Sequence, residues 1–351
     1  MKKKATRIVV ILVLCLAVPV LVAGYIGYNL IDWYLIRGND FRYGDFYYEA
    51  IDGEVKISSY VGKATEVVIP EKIRGKPVTA IGWRAFESSG ITKVTIPDSV
   101  ITIDHGAFSW CNLTEIHIPN SVTSIGQSAF LGCTDLTDVT LSENLTALSN
   151  HMFDRCASLT SITIPKGVKN IGENAFDKCR SLTDVTIPEG VTRIEKEAFQ
   201  WCDSLTSIII PSSVKSIVSR AFMNCKSITS VTIPNGVKRI SNGTFAYCKK
   251  LASITIPDSV TYIGEYAFVN CTSLTSIAIP DSVTFIKRDA FQGCDRLTNV
   301  AFRGEIYSVE ASYDYGRDAL HYDLPFAFYQ AAYQPLLPPP PEPDSSLERH
   351  Y

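Results

Sequence analysis

The sequence has little of what catalysis or nucleic-acid binding requires. Its formal net charge is only −3, so no broad basic surface is available to attract nucleic acid or anionic lipid. Its five histidines form no His-Glu-x-x-His motif, and neither Gly-x-Ser-x-Gly nor a Walker phosphate-binding phrase occurs. The carboxylates are scattered over loop positions without a pairing that suggests acid–base catalysis. These absences predict a protein without catalytic residues, a metal ion, a cofactor or a nucleic-acid partner.

What the sequence does contain is one phrase that returns along most of its length. The phrase is an Ala-Phe pair, a cysteine three residues later, and then Leu-Thr-Ser-Ile-Thr-Ile-Pro in its fullest form. A fixed period of 22 or 23 residues is typical of solenoids, in which each repeat is one coil. It favours a function that uses an extended surface rather than a catalytic pocket. The marker phenylalanines of the repeats are Phe86, Phe108, Phe130, Phe153, Phe176, Phe199, Phe222, Phe245, Phe268 and Phe291.

Each repeat is predicted to contain one strand with a single buried face. In the copy that begins at Leu159, Ile162 and Ile164 alternate with polar residues such as Thr163, which is the period of a half-buried strand. Pro165 ends this strand because proline has no N–H group to continue the hydrogen bonding. The segment from Ala-Phe to the cysteine fits one short helical or 3-10 turn. A single coil buries too few side chains to fold alone, so consecutive coils must stack.

The cysteines follow the same period as the phenylalanines. Export from the cytoplasm would permit disulfides between them, but equivalent side chains in stacked coils point in parallel rather than at each other. A small buried slot beside a phenylalanine also selects cysteine, and no histidine lies near these positions at the spacing of a metal site. The pattern favours buried, structural thiols. The nine periodic cysteines are Cys111, Cys133, Cys156, Cys179, Cys202, Cys225, Cys248, Cys271 and Cys294.

Residues 1–35 are predicted to be an N-terminal signal anchor. Four basic residues lie within 1–7, and residues 8–31 contain no charge. A helix over 8–31 would be about 36 Å long, which exceeds the ~30 Å hydrocarbon core. The basic leader predicts a single-pass protein of the cell membrane, with the N-terminus in the cytoplasm and the repeats outside. A cleaved signal peptide and a secreted protein are the alternative, because Val22-Ala23-Gly24 resembles a cleavage site.

The remaining chain divides into four segments. Residues 36–63 are predicted to form a β-hairpin that caps the first coil, with its turn at Asp52-Gly53. Residues 64–302 form the solenoid. Residues 303–333 are rich in aromatics and are predicted to cap the last coil. Residues 334–351 are Pro-rich and are predicted to be a disordered tail.

The repeat phrase closely resembles the BspA-like class of leucine-rich repeat. Residues 251–271 read Leu-Ala-Ser-Ile-Thr-Ile-Pro-Asp-Ser-Val-Thr-Tyr-Ile-Gly-Glu-Tyr-Ala-Phe-Val-Asn-Cys and match it almost position for position. The resemblance implies a leucine-rich-repeat solenoid, mainly β with short helical or 3-10 turns. We expect about ten coils of 22–23 residues, preceded by the transmembrane helix. The resemblance also implies a bacterial surface or secreted protein that binds host or matrix macromolecules, and it brings no shared catalytic residues.

The exposed strand face is one candidate for partner binding. The residue between the two inward positions of each strand is threonine in most central repeats, which makes a flat and neutral face. Ile209 is an apolar interruption of it. The alternative is that threonine simply suits an exposed strand. The candidate residues on this face are Thr163, Thr186, Ile209, Thr232 and Thr255.

Aromatic residues at variable positions are the other candidate. Trp110, Trp201 and Tyr247 each precede a periodic cysteine. Tyr262 and Phe285 occupy equivalent positions in adjacent repeats and are predicted to stack into an exposed pair. Such residues often anchor a partner, although they can also cover the edge of a coil.

The sequence therefore predicts a non-catalytic binding or adhesion protein of the cell surface. Its partner would be a protein or a glycan, and its contact with the membrane would be the N-terminal helix. The alternative is a structural scaffold or spacer in the cell envelope.

Overall fold

The computed structural model describes residues 40–303 and, as backbone only, strands 305–307, 310–314 and 319–323. All regular secondary structure in this part of the chain is β-strand. None of its segments is a helix with the length and hydrophobicity needed to cross a membrane. The predicted signal anchor over 1–35 and the predicted tail over 334–351 lie outside the described residues.

The repeats contribute two rows of short strands. The first row comes from the Ile-Thr-Ile phrase and comprises Glu66–Val68, Lys93–Thr95, Glu115–His117, Asp138–Thr140, Ser161–Thr163, Asp184–Thr186, Ser230–Thr232, Ser253–Thr255, Ser276–Ile279 and Asn299–Phe302. The second row follows the proline turn and comprises Lys76–Ile81, Thr102–Ile103, Ser124–Ile125, Ala147–Leu148, Asn170–Ile171, Arg193–Ile194, Ser216–Ile217, Arg239–Ile240, Tyr262–Ile263 and Phe285–Ile286. An extra strand, Lys72–Ile73, pairs antiparallel with Lys76–Ile81.

Strands within a row pair in parallel with an offset of one repeat. In the first row Ile162 lies opposite Val185, and in the second row Ile171 lies opposite Ile194. Because every coil presents the same inward residues to the next, the buried side chains form one continuous core. The predicted solenoid is confirmed.

The marker phenylalanines are stacked along the centre of this core. All ten are at most 1 % exposed. Rings in neighbouring coils lie 5.0–5.8 Å apart between centroids, and their planes are within 23° of parallel. We call this arrangement the phenylalanine stack. It stabilises the association of the coils, because each ring packs on a ring of the neighbouring coil and would be exposed if that coil were removed.

The predicted helical or 3-10 turn around each phenylalanine is wrong. The N–H of Cys179 does bond to the carbonyl of Phe176, at 3.2 Å, but the N–H of Phe176 donates instead to Ala198 in the next coil, at 2.8 Å. Asn174 and Lys178 have left-handed φ values of 54° and 61°. Alternate N–H groups therefore point toward the next coil, and a continuous series of 3-10 hydrogen bonds within the coil cannot form. We call these residues, from two before to two after each marker phenylalanine, the turn edge.

The N-terminal end of the stack is covered by a hairpin. Strand Phe41–Tyr43 pairs with Phe46–Ile51, which pairs antiparallel with Glu54–Tyr60. The ring of Tyr60 stacks on Phe86 with centroids 5.2 Å apart, which is the contact that a solenoid cap needs. At the other end, Glu305–Tyr307 pairs antiparallel with Asn299–Phe302, and Glu310–Asp314 pairs with Ala319–Asp323.

The nine periodic cysteines are free and buried. Each Sγ donates a hydrogen bond to the backbone carbonyl of the marker phenylalanine one coil earlier, at 3.0–3.3 Å. Burial raises the pKa of the Cys111 thiol to about 11 and that of Cys248 to about 12. The thiols therefore contribute both packing and a weak hydrogen bond between coils.

Candidate binding surfaces

The first-row strands present a face of small hydroxyl side chains to solvent. Thr163 lies opposite Thr186, and Thr232 lies opposite Thr255, so these side chains form two aligned pairs. All four are exposed. Ile209 lies between the pairs and is 82 % exposed. We call the five residues the strand face.

The coil that contains Ile209 differs from the others in its backbone. Residues 205–211 form no strand, although every other coil of the first row does. Ile208 and Ile210 are nevertheless buried, so the alternation of inward and outward side chains is preserved. The result is an apolar side chain projecting from an otherwise flat and hydroxyl-bearing surface.

The aromatic residues before the cysteines lie on the turn edge. Trp110 and Tyr247 are 45 % and 36 % exposed. Trp201 is half-buried, with the Lys226 Nζ 4.8 Å and the Arg180 guanidinium 5.7 Å from its ring centroids. The structure does not bring the three together, because four coils separate Trp110 from Trp201 and two more separate Trp201 from Tyr247.

Tyr262 and Phe285 were predicted to form an exposed stacked pair, and the predicted exposure of this pair is wrong. The two rings do stack, with centroids 5.5 Å apart and planes 3° from parallel. Tyr262, however, is only 6 % exposed. The Arg239 guanidinium lies 3.9 Å from the centre of its ring, so a neighbouring coil lies on each side of Tyr262. These aromatics cover the second row rather than offer an open contact.

Two buried carboxylates escaped prediction. Asp154 and Asp177 directly follow marker phenylalanines in adjacent coils and are both buried. His151 Nδ1 lies 3.1 Å from Asp154 Oδ2, and this hydrogen bond raises the pKa of His151. Burial raises the pKa of Asp177. Their separation of one repeat was the feature of the sequence that could have predicted that they lie in equivalent positions of adjacent coils. Among residues 40–303 no group of three or more metal-ligating side chains occurs.

A groove on the turn edge was also not predicted. It has a volume of about 460 Å³ and is lined by Tyr247, Tyr266, Ala246 and Val269, with polar side chains around them. Residues from four adjacent coils line it, so the sequence of a single repeat could not predict it.

The fold and its surfaces define a leucine-rich-repeat solenoid in which surface residues vary on a constant core. The chain belongs to the family of BspA-type leucine-rich repeats, because the family model matches residues 79–206 and 192–315 with six copies. Those matches cover more than half of the chain. The resemblance inferred from the repeat phrase is thus confirmed.

Solved structures of bacterial proteins share the fold. A leucine-rich cell surface protein from Faecalibacterium prausnitzii is 28 % identical, with 76 % of this chain and 95 % of that chain covered and a TM-score of 0.56. A leucine-rich repeat protein from Bacteroides ovatus is 26 % identical, with 75 % and 89 % covered and a TM-score of 0.52. A comparison with curated proteins found no match.

Proposed function

We propose that the protein is a non-catalytic binding or adhesion protein of the bacterial cell surface. The predicted anchor over 1–35 would hold it at the membrane, and the solenoid would present the strand face to a protein or glycan partner. The observation that supports this proposal most directly is the 82 % exposure of Ile209 at the centre of a flat, hydroxyl-bearing surface. The similarity to a cell surface protein of Faecalibacterium prausnitzii supports the location.

Contact with a partner would remove the exposed side chain of Ile209 from water. Transferring an exposed isoleucine side chain out of water stabilises a complex by about 1.5–3 kcal/mol. The flanking Thr186 and Thr232 are exposed and small, so a partner surface can approach the backbone closely. Their hydroxyls donate and accept hydrogen bonds, which suits contacts around an apolar centre.

A structural scaffold or spacer is the second candidate function. The continuous core and the phenylalanine stack join all coils into one elongated unit, which is the property that a spacer needs. The two candidates differ in what they require of the strand face, because a spacer needs no accessible Ile209.

Replacing Ile209, Thr186 and Thr232 with Asp is expected to abolish capture of a partner from a panel of immobilised matrix proteins. Three negative charges on one face oppose docking, because a partner would have to displace the water bound to each carboxylate. Because the side chains point to solvent, the free energy of unfolding should change by only about 0.5 kcal/mol per substitution. Binding is measured by surface plasmon resonance and folding by thermal denaturation.

A matched control places the same charges elsewhere. Ile101, Thr123 and Thr146 lie in three consecutive coils, are exposed and immediately precede second-row strands, so replacing them with Asp leaves the strand face intact. The control should bind as the wild type does. Equal binding by the strand-face variant would show that the partner site lies elsewhere.

The anchor can be tested separately on the mature protein. We expect its N-terminus to include the basic residues 1–7, because an uncleaved anchor retains them. Edman sequencing of protein extracted from membranes measures this directly. A sequence that starts near Tyr25 would instead show that the segment is a cleaved signal peptide and that the protein is secreted.

A further inference from the structure

We propose that the groove on the turn edge is a binding site for one residue of a neutral carbohydrate. The site is separate from the strand face and does not depend on it. It consists of the space between Tyr247 and Tyr266, above Ala246 and Val269.

The groove lies where one coil carries small residues on the turn edge. The backbone of the turn edge takes a left-handed φ two residues before and two residues after each phenylalanine, so side chains at these positions form two parallel rims. One coil earlier the equivalent positions hold Arg220 and Met223, whereas here they hold Gly243 and Ala246. The stem of Arg220 packs within 3.2 Å of the place that a Cβ on Gly243 would take, so the space beside Gly243 is filled. The opening lies beside Ala246, whose methyl group is much smaller than the side chain of Met223.

Its walls are aromatic and its floor is apolar. Tyr247 stands on one rim and Tyr266 on the other, in adjacent coils, and they are 36 % and 41 % exposed. Ala246 and Val269 also line the groove and are almost completely buried, so they form its floor. The volume of about 460 Å³ is within the ~300–1,000 Å³ range of small-ligand sites. An aromatic wall offers a flat apolar surface against which the C–H face of a pyranose ring can pack.

The polar groups at the groove suit hydroxyls. Asn270 and Gln292 line it, and an amide side chain offers both donors and an acceptor. A sugar hydroxyl is likewise both a donor and an acceptor, so neighbouring hydroxyls on a ring can be matched by such groups. The arrangement of few directional polar groups around an apolar floor is what fixes the orientation of a small ligand.

The charges at the groove favour a neutral ligand. Only two lining residues are charged, Arg220 and Glu265, and their charges are opposite. Arg220 is also paired with Glu197, at 3.1 Å between Nη1 and Oε1, which reduces its attraction for an anion. A phosphate or an acidic sugar would find no excess positive charge here, so a neutral hexose or N-acetylhexosamine is the better match.

The test uses the full chain in lipid nanodiscs and a panel of four neutral disaccharides: cellobiose, lactose, maltose and N,N′-diacetylchitobiose. Binding is measured by isothermal titration calorimetry, supported by saturation-transfer NMR. We expect at least one of them to bind with a Kd on the order of 1 mM or lower, as a single small contact area allows.

Two variants test the location of the site. Tyr247→Asn removes one wall without straining the backbone, since Asn224 and Asn270 hold the same left-handed conformation in the adjacent coils. Ala246→Met copies Met223 and fills the opening. Each should weaken binding at least tenfold, about 1.4 kcal/mol. Trp110→Asn is the matched control, because Trp110 occupies the equivalent position far from the groove, and it should bind as the wild type does.

Other outcomes overturn the proposal. If none of the four neutral disaccharides binds, the groove is not a site for a neutral carbohydrate. Equal affinity in the wild type and in Tyr247→Asn would show that any bound sugar lies elsewhere. The strand-face variant with three Asp residues should bind the sugar normally, so failure of the adhesion proposal and failure of this one are distinguishable.

Discussion

Raising the pH above about 9 is expected to unfold the protein steeply, and the periodic cysteines are the reason. Burial raises the pKa of eight of the nine buried thiols from the ordinary value of 9.0. In the unfolded chain these thiols ionise from about pH 9 upward. In the folded chain they stay protonated, to about pH 11 at Cys111 and about pH 12 at Cys248.

The sign of the effect follows from proton binding. Above pH 9 the unfolded state binds fewer protons than the folded state, so the free energy of unfolding falls as the pH rises. The stability that protonated thiols provide is fully present below pH 9 and is lost as the pH rises through about 11–12. Each thiol lowers the free energy of unfolding by about 1.4 kcal/mol per pH unit above the pKa of the unfolded chain. Eight thiols that become exposed together lower it by about 11 kcal/mol per pH unit. Since domains are stable by about 5–15 kcal/mol, the transition should fall within one or two pH units.

Urea unfolding between pH 8 and pH 10.5 measures this slope. A variant with Cys179, Cys202 and Cys225 replaced by Ala should lose about 4 kcal/mol per pH unit from it. The slope is a cleaner readout than the stability itself, because removing a buried sulfur also leaves a cavity. The carbonyl of Phe176 accepts from Cys202 Sγ at 3.3 Å and also from the backbone N–H of Cys179. The second bond remains in the variant, because replacing Cys179 with Ala keeps its N–H group.

A matched control separates the thiols from other alkaline titrations. Replacing the exposed Lys249 and Lys250 with Gln changes two surface side chains and no thiol, and should leave the slope nearly unchanged. An unaltered slope in the triple-Ala variant would contradict the prediction. So would rapid alkylation of the native protein by iodoacetamide at pH 8, because a buried, protonated thiol is unreactive.

The periodic part of this structure was available in the sequence, and the reason is physical. A side chain repeated every 23 residues at a buried position must meet its own copy in the next coil. The phenylalanines and the inward strand residues such as Ile162 could therefore be placed correctly. The outward direction of Ile209 followed from the same alternation, because Ile208 and Ile210 had to face the core.

The parts that were missed depend on several coils at once or on backbone conformation. A helical turn and the observed turn edge bury the same residues, so the hydrophobic pattern could not distinguish them. The left-handed backbone at Asn174 and Lys178 was hard to predict, because asparagine favours this conformation only weakly compared with glycine and lysine does not favour it. The groove at Tyr247 is lined by residues of four coils, and Tyr262 is covered by Arg239 one coil earlier.

Replacing Phe176 with Ala is expected to lower the free energy of unfolding by about 3–5 kcal/mol, which is the usual loss for a fully buried phenylalanine. The ring of Phe176 contacts two others in the phenylalanine stack, with centroids 5.7 Å from Phe153 and 5.2 Å from Phe199. Both contacts are lost together, and they are among the contacts that join the N-terminal coils to the C-terminal ones.

The loss should also change how the protein unfolds. In a repeat array each coil is stabilised mainly by its neighbours, so weakening one central interface uncouples the two halves. We expect the single thermal transition of the wild type to broaden or split in Phe176→Ala. Differential scanning calorimetry measures this as a calorimetric enthalpy that exceeds the van't Hoff enthalpy.

Two further variants make the test specific to the stack. Phe176→Leu keeps most of the volume and should cost about 1–1.5 kcal/mol without splitting the transition. Phe291→Ala removes an equally buried ring near the end of the array, whose one stacking partner among residues 40–303 is Phe268, at 5.3 Å. It should fray the last coils and leave the main transition intact. If Phe176→Ala and Phe291→Ala gave the same single transition with the same loss, all coils would still be unfolding together in both variants. The stacking contacts of Phe176 would then not be what couples the two halves of the solenoid.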